Sequence, residues 1–306
     1  MVMLTPVTPA PLAERPHLTM EVGGAESNVA CGVAQLGHRT AWLGRVGADP
    51  FGRIITGMLA AHGVDVADIE VDGELPTGLY LKDPGVDRST VHYYRKGSAA
   101  SAMGPGFAEL VRRRAARVVH LSGVTPALSP GCAALVERLL TDRAPGGPLL
   151  SFDVNHRPAL WDPAAAGTAL LPLARRADVV FTGRDEAELL WGTAAPDDIR
   201  ALLPDVPCLV VKDAEHGATC YENGVRTFVP ALKVEVVEPV GAGDAFAAGF
   251  LHVWLDDRTD IAAALRSGVA LAALSMTIPG DLAIVTPADL AATLDLLEGD
   301  GRDIVR

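Results

Sequence analysis

The 306-residue sequence contains no apolar run approaching the roughly 20 residues that a helix needs to cross a bilayer. Its start, Met1 to Pro11, lacks the basic cluster and apolar core of a secretory signal, so a cytoplasmic protein is expected. Cysteine is scarce. Cys31, Cys132, Cys208 and Cys220 stand far apart with no C-x-x-C pair, which argues against a zinc ribbon or a disulfide framework and fits reduced thiols. Positive charge is short too: 26 Lys and Arg against 38 Asp and Glu, a formal charge of −12. So acidic a surface repels nucleic acid and anionic lipid, and neither is expected as a partner. The one dense basic cluster, Arg112, Arg113 and Arg114 in FAELVRRRAARVV, reads as the solvated face of a helix. An anionic substrate must therefore be held by a few placed groups. Internal repeats and low-complexity linkers are also missing.

What is present is a 49% apolar chain in which short β-type runs alternate with longer helical ones. Strands are expected at Thr40–Val46, Val118–Ser122, Leu149–Val154, Val179–Thr182 and Cys208–Lys212. Helices are expected at Asp49–Ala61, Ser129–Leu140, Ala164–Arg175 and Arg184–Leu190, and the third of the chain after Gly241 is largely helical. Such alternation with continuous apolar strands predicts an α/β fold with a doubly wound, mostly parallel sheet, whose ligands lie beyond the carboxyl ends of the strands. TGLYLKD and STVHYYRKG, joined by PGVDR, break the rhythm. They read as a hairpin too polar for the central sheet, part of a small β-sheet lid over the site.

Two glycine-rich helix starts carry the chemistry. Gly241-Ala242-Gly243-Asp244-Ala245-Phe246 follows the strand-like VEVVEPV. Small residues there let first-turn amides approach an anion, and an acid facing a substrate hydroxyl could take its proton during phosphoryl transfer. By itself the run also reads as an ordinary Gly-rich turn with a helix-start Asp. Gly23-Gly24-Ala25-Glu26-Ser27-Asn28 allows close backbone approach, and Asn28 offers a donor and an acceptor to a polyol; helix packing is the alternative. His156 reads as structural, and His92, His120, His216 and His252 form no metal set.

In this order GGAESNVACGVAQLG, GRVGADPFG (Gly44 to Gly52) and EPVGAGDAFAAGF resemble the ribokinase-like (PfkB) carbohydrate kinases, collinearly from about Met1 to beyond Asp281. The resemblance implies one kinase domain over 1–306, with a lid from roughly 1–22 and 75–100. It implies Asp244 as catalytic base, Gly241, Ala242 and Gly243 as the anion hole, Lys212 to Gly217 as a nucleotide loop, and ATP with Mg²⁺ as cofactors. Tyr93-Tyr94-Arg95-Lys96-Gly97-Ser98-Ala99-Ala100-Ser101, and Asp153-Val154-Asn155-His156-Arg157-Pro158 followed by Leu160-Trp161, resemble the 2-keto-3-deoxygluconate kinase branch. A sugar acid needs a cation for its carboxylate, and arginine's planar fork matches that group. Strand alternation puts Tyr93 and Arg95 on one face and Tyr94 on the other. Substrate contacts are accordingly expected at Gly23, Gly24, Asn28, Tyr80, Tyr93, Arg95, Arg157 and Asp281. Nucleotide contacts are expected at Asn155, Arg157, Lys212, Gly217, Gly241 and Gly243, with Glu186 reaching Mg²⁺ through water.

The sequence departs from the family pattern in four places. Gly183 replaces the Asn of an Asn-x-x-Glu element ending at Glu186, Ala214 replaces a loop glycine, and Glu238 replaces an Asp before the anion hole. MVMLTPVTPAPL aligns with the part after the first core strand, so that strand is expected upstream of Met1, or else the protein is shortened and impaired. The expected reaction phosphorylates 2-dehydro-3-deoxygluconate at its 6-hydroxyl. A neutral-sugar kinase of the fructose or ribose type, and a catalytically silent relative serving as an interaction protein, are the alternatives. The lid could also mediate a homo-oligomer.

Overall fold

The computed structural model describes residues 1–8, 10–84 and 90–298; the PGVDR loop lies outside them from Gly85 onward. The first half of the chain runs β1 (Val2–Pro6), β2 (Leu18–Val22), α1 (Ala25–Gln35), β3 (Thr40–Ala41), β4 (Arg45–Gly47) and α2 (Pro50–Ala61). It continues through β5 (Val64–Asp65), β6 (Glu70–Asp72), β7 (Leu79–Asp83) and β8 (Thr90–Tyr94). The second half runs α3 (Ala108–Arg113), β9 (Val118–Ser122), α4 (Pro130–Thr141), β10 (Leu149–Asp153), α5 (Pro163–Ala174), β11 (Val179–Gly183), α6 (Arg184–Trp191) and α7 (Pro196–Leu202). After these come β12 (Cys208–Asp213), β13 (Gly217–Glu222), β14 (Val225–Pro230), α8 (Ala242–Asp256), α9 (Ile261–Met276) and α10 (Pro287–Glu298).

The main sheet has six strands in the order β14-β13-β12-β11-β10-β9. Strands β9 to β12 are parallel, and β13 and β14 extend the sheet antiparallel. The central strands are continuously apolar because both faces are covered. Phe181 and Val210 meet Phe246 and Phe250 of α8 on one face. Phe152, Val180 and Leu209 meet Leu170 and Leu173 of α5 and Ile199 of α7 on the other. Local chemistry sets where several helices begin. Proline occupies the first turn of α2, α4 and α5, and the side chains of Asp49, Ser129 and Asp162 accept from Gly52, Cys132 and Ala165 amides at 2.8, 3.1 and 3.0 Å.

A separate four-stranded sheet, ordered β2-β1-β7-β8, carries the expected hairpin. Alternation divides its faces. Tyr80 and Lys82 are buried on the inner side, whereas Leu18, Met20 and Tyr94 are 40%, 54% and 64% exposed on the outer one.

Three expectations change. Thr40–Val46 is not one strand. Trp42 folds its ring over Gly44, where a Cβ would stand 2.3 Å away, and the run splits into β3, paired with β5, and β4, paired with β6. VEVVEPV holds a single bridge residue at Val234 and is otherwise loop, with Val236 and Val237 more than half exposed. The basic helix is short, and Arg112 and Arg114 are engaged by Glu109, Asp142, Asp65 and Asp68. Among the described residues β9 pairs only with β10, so its other edge is free. No helix of the described residues is long and apolar enough to cross a membrane.

Candidate active site

The start of α8 lies in a cleft of about 1270 Å³ between the main sheet and the four-stranded sheet. Gly241 turns the chain into the helix at φ +87°, and a Cβ there would be 2.2 Å from the Asp281 carbonyl oxygen, so only glycine fits. No side chain caps the helix, which leaves first-turn amides facing the cleft; that of Ala242 turns back to Pro239 O at 3.4 Å. A Cβ on Gly243 would stand 3.4 Å from the Lys212 Nζ, so the ammonium lies over the helix mouth. Lys212, at the end of β12, is held there by Asp153 at 2.7 Å.

Asp244 is buried in the first turn of α8. Asn28 Nδ2 donates to one of its oxygens at 2.8 Å and Asn155 Nδ2 approaches the other at 3.5 Å. Burial pushes its pKa up to about 7 against the pull of the Asn28 hydrogen bond, Arg157 and Lys212, while Asp153 adds to the rise. A carboxyl group poised near neutrality beside free helix amides has the properties of a general base at an anion site.

The residues expected to read the sugar converge on the same cleft. Gly24, Asn28, Tyr80, Tyr93, Arg95, Arg157 and Asp281 all line it. Asn28 Oδ1 is buried without a hydrogen-bond partner, an acceptor still to be satisfied beside the cleft. Tyr93 and Arg95 share the inner face and Tyr94 points out, as alternation requires. Arg95 Nε is buried and unpartnered, and burial pulls down the guanidinium's pKa despite Glu26 nearby. Gly23 lies beneath Tyr80 instead of lining the cleft; a Cβ there would be 2.2 Å from the Tyr80 hydroxyl. Asp281 is already engaged, one oxygen accepting from Tyr80 and the other from Lys82.

On the nucleotide side, Asn155, Arg157, Lys212, Gly241 and Gly243 border the cleft, whereas Gly217 does not; at φ +132° it packs against Val229 O. Asp153 Oδ1 and Asn155 Oδ1 are buried without partners, and with Lys212 and the α8 mouth they fit a polyphosphate and its counter-ion. Glu186 spends its oxygens on backbone and hydroxyl groups. One accepts from His156 N, the other from Thr182 Oγ1 at 3.1 Å and Gly183 N at 3.2 Å. Burial, then Asp153, raises its pKa. Among the described residues no three His, Cys, Asp or Glu form a metal cluster. His156 bonds Trp161 O at 3.1 Å, in keeping with a structural role.

Sequence reasoning assigned no contact to four polar residues here. Asp153 opens a stretch already singled out, and its place at a strand end was the available signal. Glu26 accepts from Ser122 and Thr125, each at 2.7 Å, and faces Arg95. Lys82 and Glu238 pair at 2.7 Å across 156 residues, which no local pattern reveals.

Comparisons agree with this geometry. Residues 1–287 match the pfkB family carbohydrate kinase. The 2-dehydro-3-deoxygluconokinase of Thermoproteus tenax is 37% identical, covering 92% of this chain and 87% of that one. Fructokinase-2 of Solanum habrochaites is 31% identical, covering 92% and 89%. A putative ribokinase II from E. coli, solved with ATP and Mg²⁺, shares the fold at a TM-score of 0.85 and 23% identity over 96% of each chain. A buried acid at an open helix mouth, a cleft under a β-sheet and these matches lead to one assignment: the chain belongs to the pfkB family of carbohydrate kinases and is a sugar kinase.

Proposed function

We propose that this kinase phosphorylates 2-dehydro-3-deoxygluconate on its 6-hydroxyl, with Asp244 as the base. The observation that carries the sugar-acid reading is Arg95, a guanidinium turned into the cleft with its Nε buried and unpartnered. A ketose hydroxyl can accept from that donor but leaves the guanidinium charge unmatched, whereas a carboxylate answers both; hydrogen bonds to charged groups are worth about 1.5–3 kcal/mol. Arg157, close enough to Arg95 for the two charges to interact, adds a second cation on the same side.

ATP supplies the phosphoryl group, and Mg²⁺ held by its phosphates and water offsets their charge. Asn28 orients the Asp244 carboxylate through one oxygen, and the other, which Asn155 Nδ2 approaches at 3.5 Å, draws the proton from the sugar hydroxyl. The Gly243 and Asp244 amides and the Lys212 ammonium stabilise negative charge on the transferring group. Tyr80 and Tyr93, with ring centres 5.8 Å apart, wall the sugar and exclude water.

The test is ATP consumption across a panel of sugar acids and neutral sugars with wild type and Arg95→Ala. Selective turnover of the sugar acid, with KM raised about 10²-fold in Arg95→Ala, is expected. The fructokinase relative favours the second reading, a neutral-ketose kinase. Fructose turnover indifferent to Arg95→Ala would establish it.

A further inference from the structure

Lys82 carries a buried charge that phosphoryl transfer does not use. It belongs to β7 of the sheet covering the cleft, is 7% exposed, and its Nζ lies 2.7 Å from both Glu238 Oε2 and Asp281 Oδ1. These two carboxylates belong to the segments that shape the mouth of α8. Glu238 uses its other oxygen to accept from Val240 N at 3.1 Å, closing the turn that delivers Gly241. Asp281 presses its carbonyl against Gly241 and takes the Tyr80 hydroxyl on its second carboxylate oxygen. Glu21 of β2 borders the same cluster; burial, then Asp281 and Glu238, raise its pKa while Lys82 lowers it. One ammonium thus bridges two carboxylates, with a third close enough to feel its charge. Burial opposes the charge on Lys82, but Asp281 and Glu238 outweigh it and hold its pKa above lysine's ordinary value.

We infer that Lys82 is a positioning residue that ties the sugar-covering sheet to the anion-binding turn, so that seating the sugar and presenting the 241–244 amides are one event. The inference rests on reading that turn as the phosphoryl site. Without the ammonium, Glu238 and Asp281 face each other as like charges, and the Glu238–Val240 turn loses its tie to β7. The phosphoryl-binding amides then shift relative to the sugar hydroxyl, and an error of about 1 Å there can cost on the order of 10²-fold in rate.

The experiment compares wild type, Lys82→Met, Lys82→Arg, Glu238→Gln and the Lys82→Met/Glu238→Gln double variant, using whichever sugar the wild type phosphorylates best. A wrong choice of sugar in the proposed function therefore shows on wild type alone. We expect kcat to fall about 10- to 100-fold in Lys82→Met and in Glu238→Gln, with ATP affinity by calorimetry within about twofold of wild type. The double variant should be no worse than Lys82→Met, because both changes cut the same link. Lys82→Arg should recover part of the loss. A merely structural lysine would lower the melting temperature and leave kcat per folded site intact. That result, or single losses that multiply in the double variant, overturns the inference. Should Lys82→Met fail to fold, Glu238→Gln decides alone, since its side chain is the more exposed of the pair and an unchanged kcat there refutes the tie.

Discussion

A carboxylate at a helix mouth faces opposing demands: it must be dry enough to be basic, yet ionised enough to work. Asp244 meets both, with burial raising its pKa to about 7 and Asn28, Arg157 and Lys212 stopping it from going further. With Asp244 as the proposed base, the working form is the anion. kcat/KM should climb about tenfold per unit of pH below 7 and level off above it; a flat profile between about pH 5 and 8 would contradict the assignment. The sign for stability is opposite. A folded-state pKa above the unfolded one favours folding at low pH, and that contribution is lost as pH rises from about 4 through 7. Asp244→Asn should therefore melt higher than wild type at pH 8 and nearly equal to it below pH 4. At this scale the sequence was most legible where cleft-lining residues sit on a short motif, as in 241–244 and 153–157. It was least legible where a pair closes over a long separation. Tyr80 and Asp281 were each expected to touch the sugar, but they bond each other across 201 residues.

At the scale of elements, the parallel strands were readable because burial on both faces leaves continuous apolar runs, and the helix starts because capping chemistry is local. Thr40–Val46 misled because an apolar run also forms when an indole folds back over a glycine, a tertiary event without periodicity. The β12–β13 corner holds a measurable consequence. Ala214, where the family pattern has glycine, adopts φ +41°, in the left-handed region that disfavours a Cβ. Ala214→Gly should relieve that strain and stabilise the protein by about 1 kcal/mol, net of the entropy glycine adds to the unfolded chain. Denaturant midpoints measure this directly. A loss of stability would show that the corner carries no strain.

Across the whole molecule, the main sheet ends at β9, whose Val118, Val119 and Leu121 are only partly covered and line an arm of the cleft with Leu43, Val33 and Leu251. A parallel sheet normally protects such an edge. Fusing an apolar strand of about five residues ahead of Met1, able to pair with β9, should raise the melting temperature by about 5 °C. An unchanged melt would mean the edge does not accept a strand.

Every role proposed for the cleft depends on Asp244 deprotonating a sugar hydroxyl beside the α8 mouth. Measuring kcat and ATP affinity together in Asp244→Asn tests it most directly. A kcat loss of about 10²- to 10⁴-fold is expected, with ATP binding within about twofold of wild type. Turnover within about threefold of wild type would contradict it.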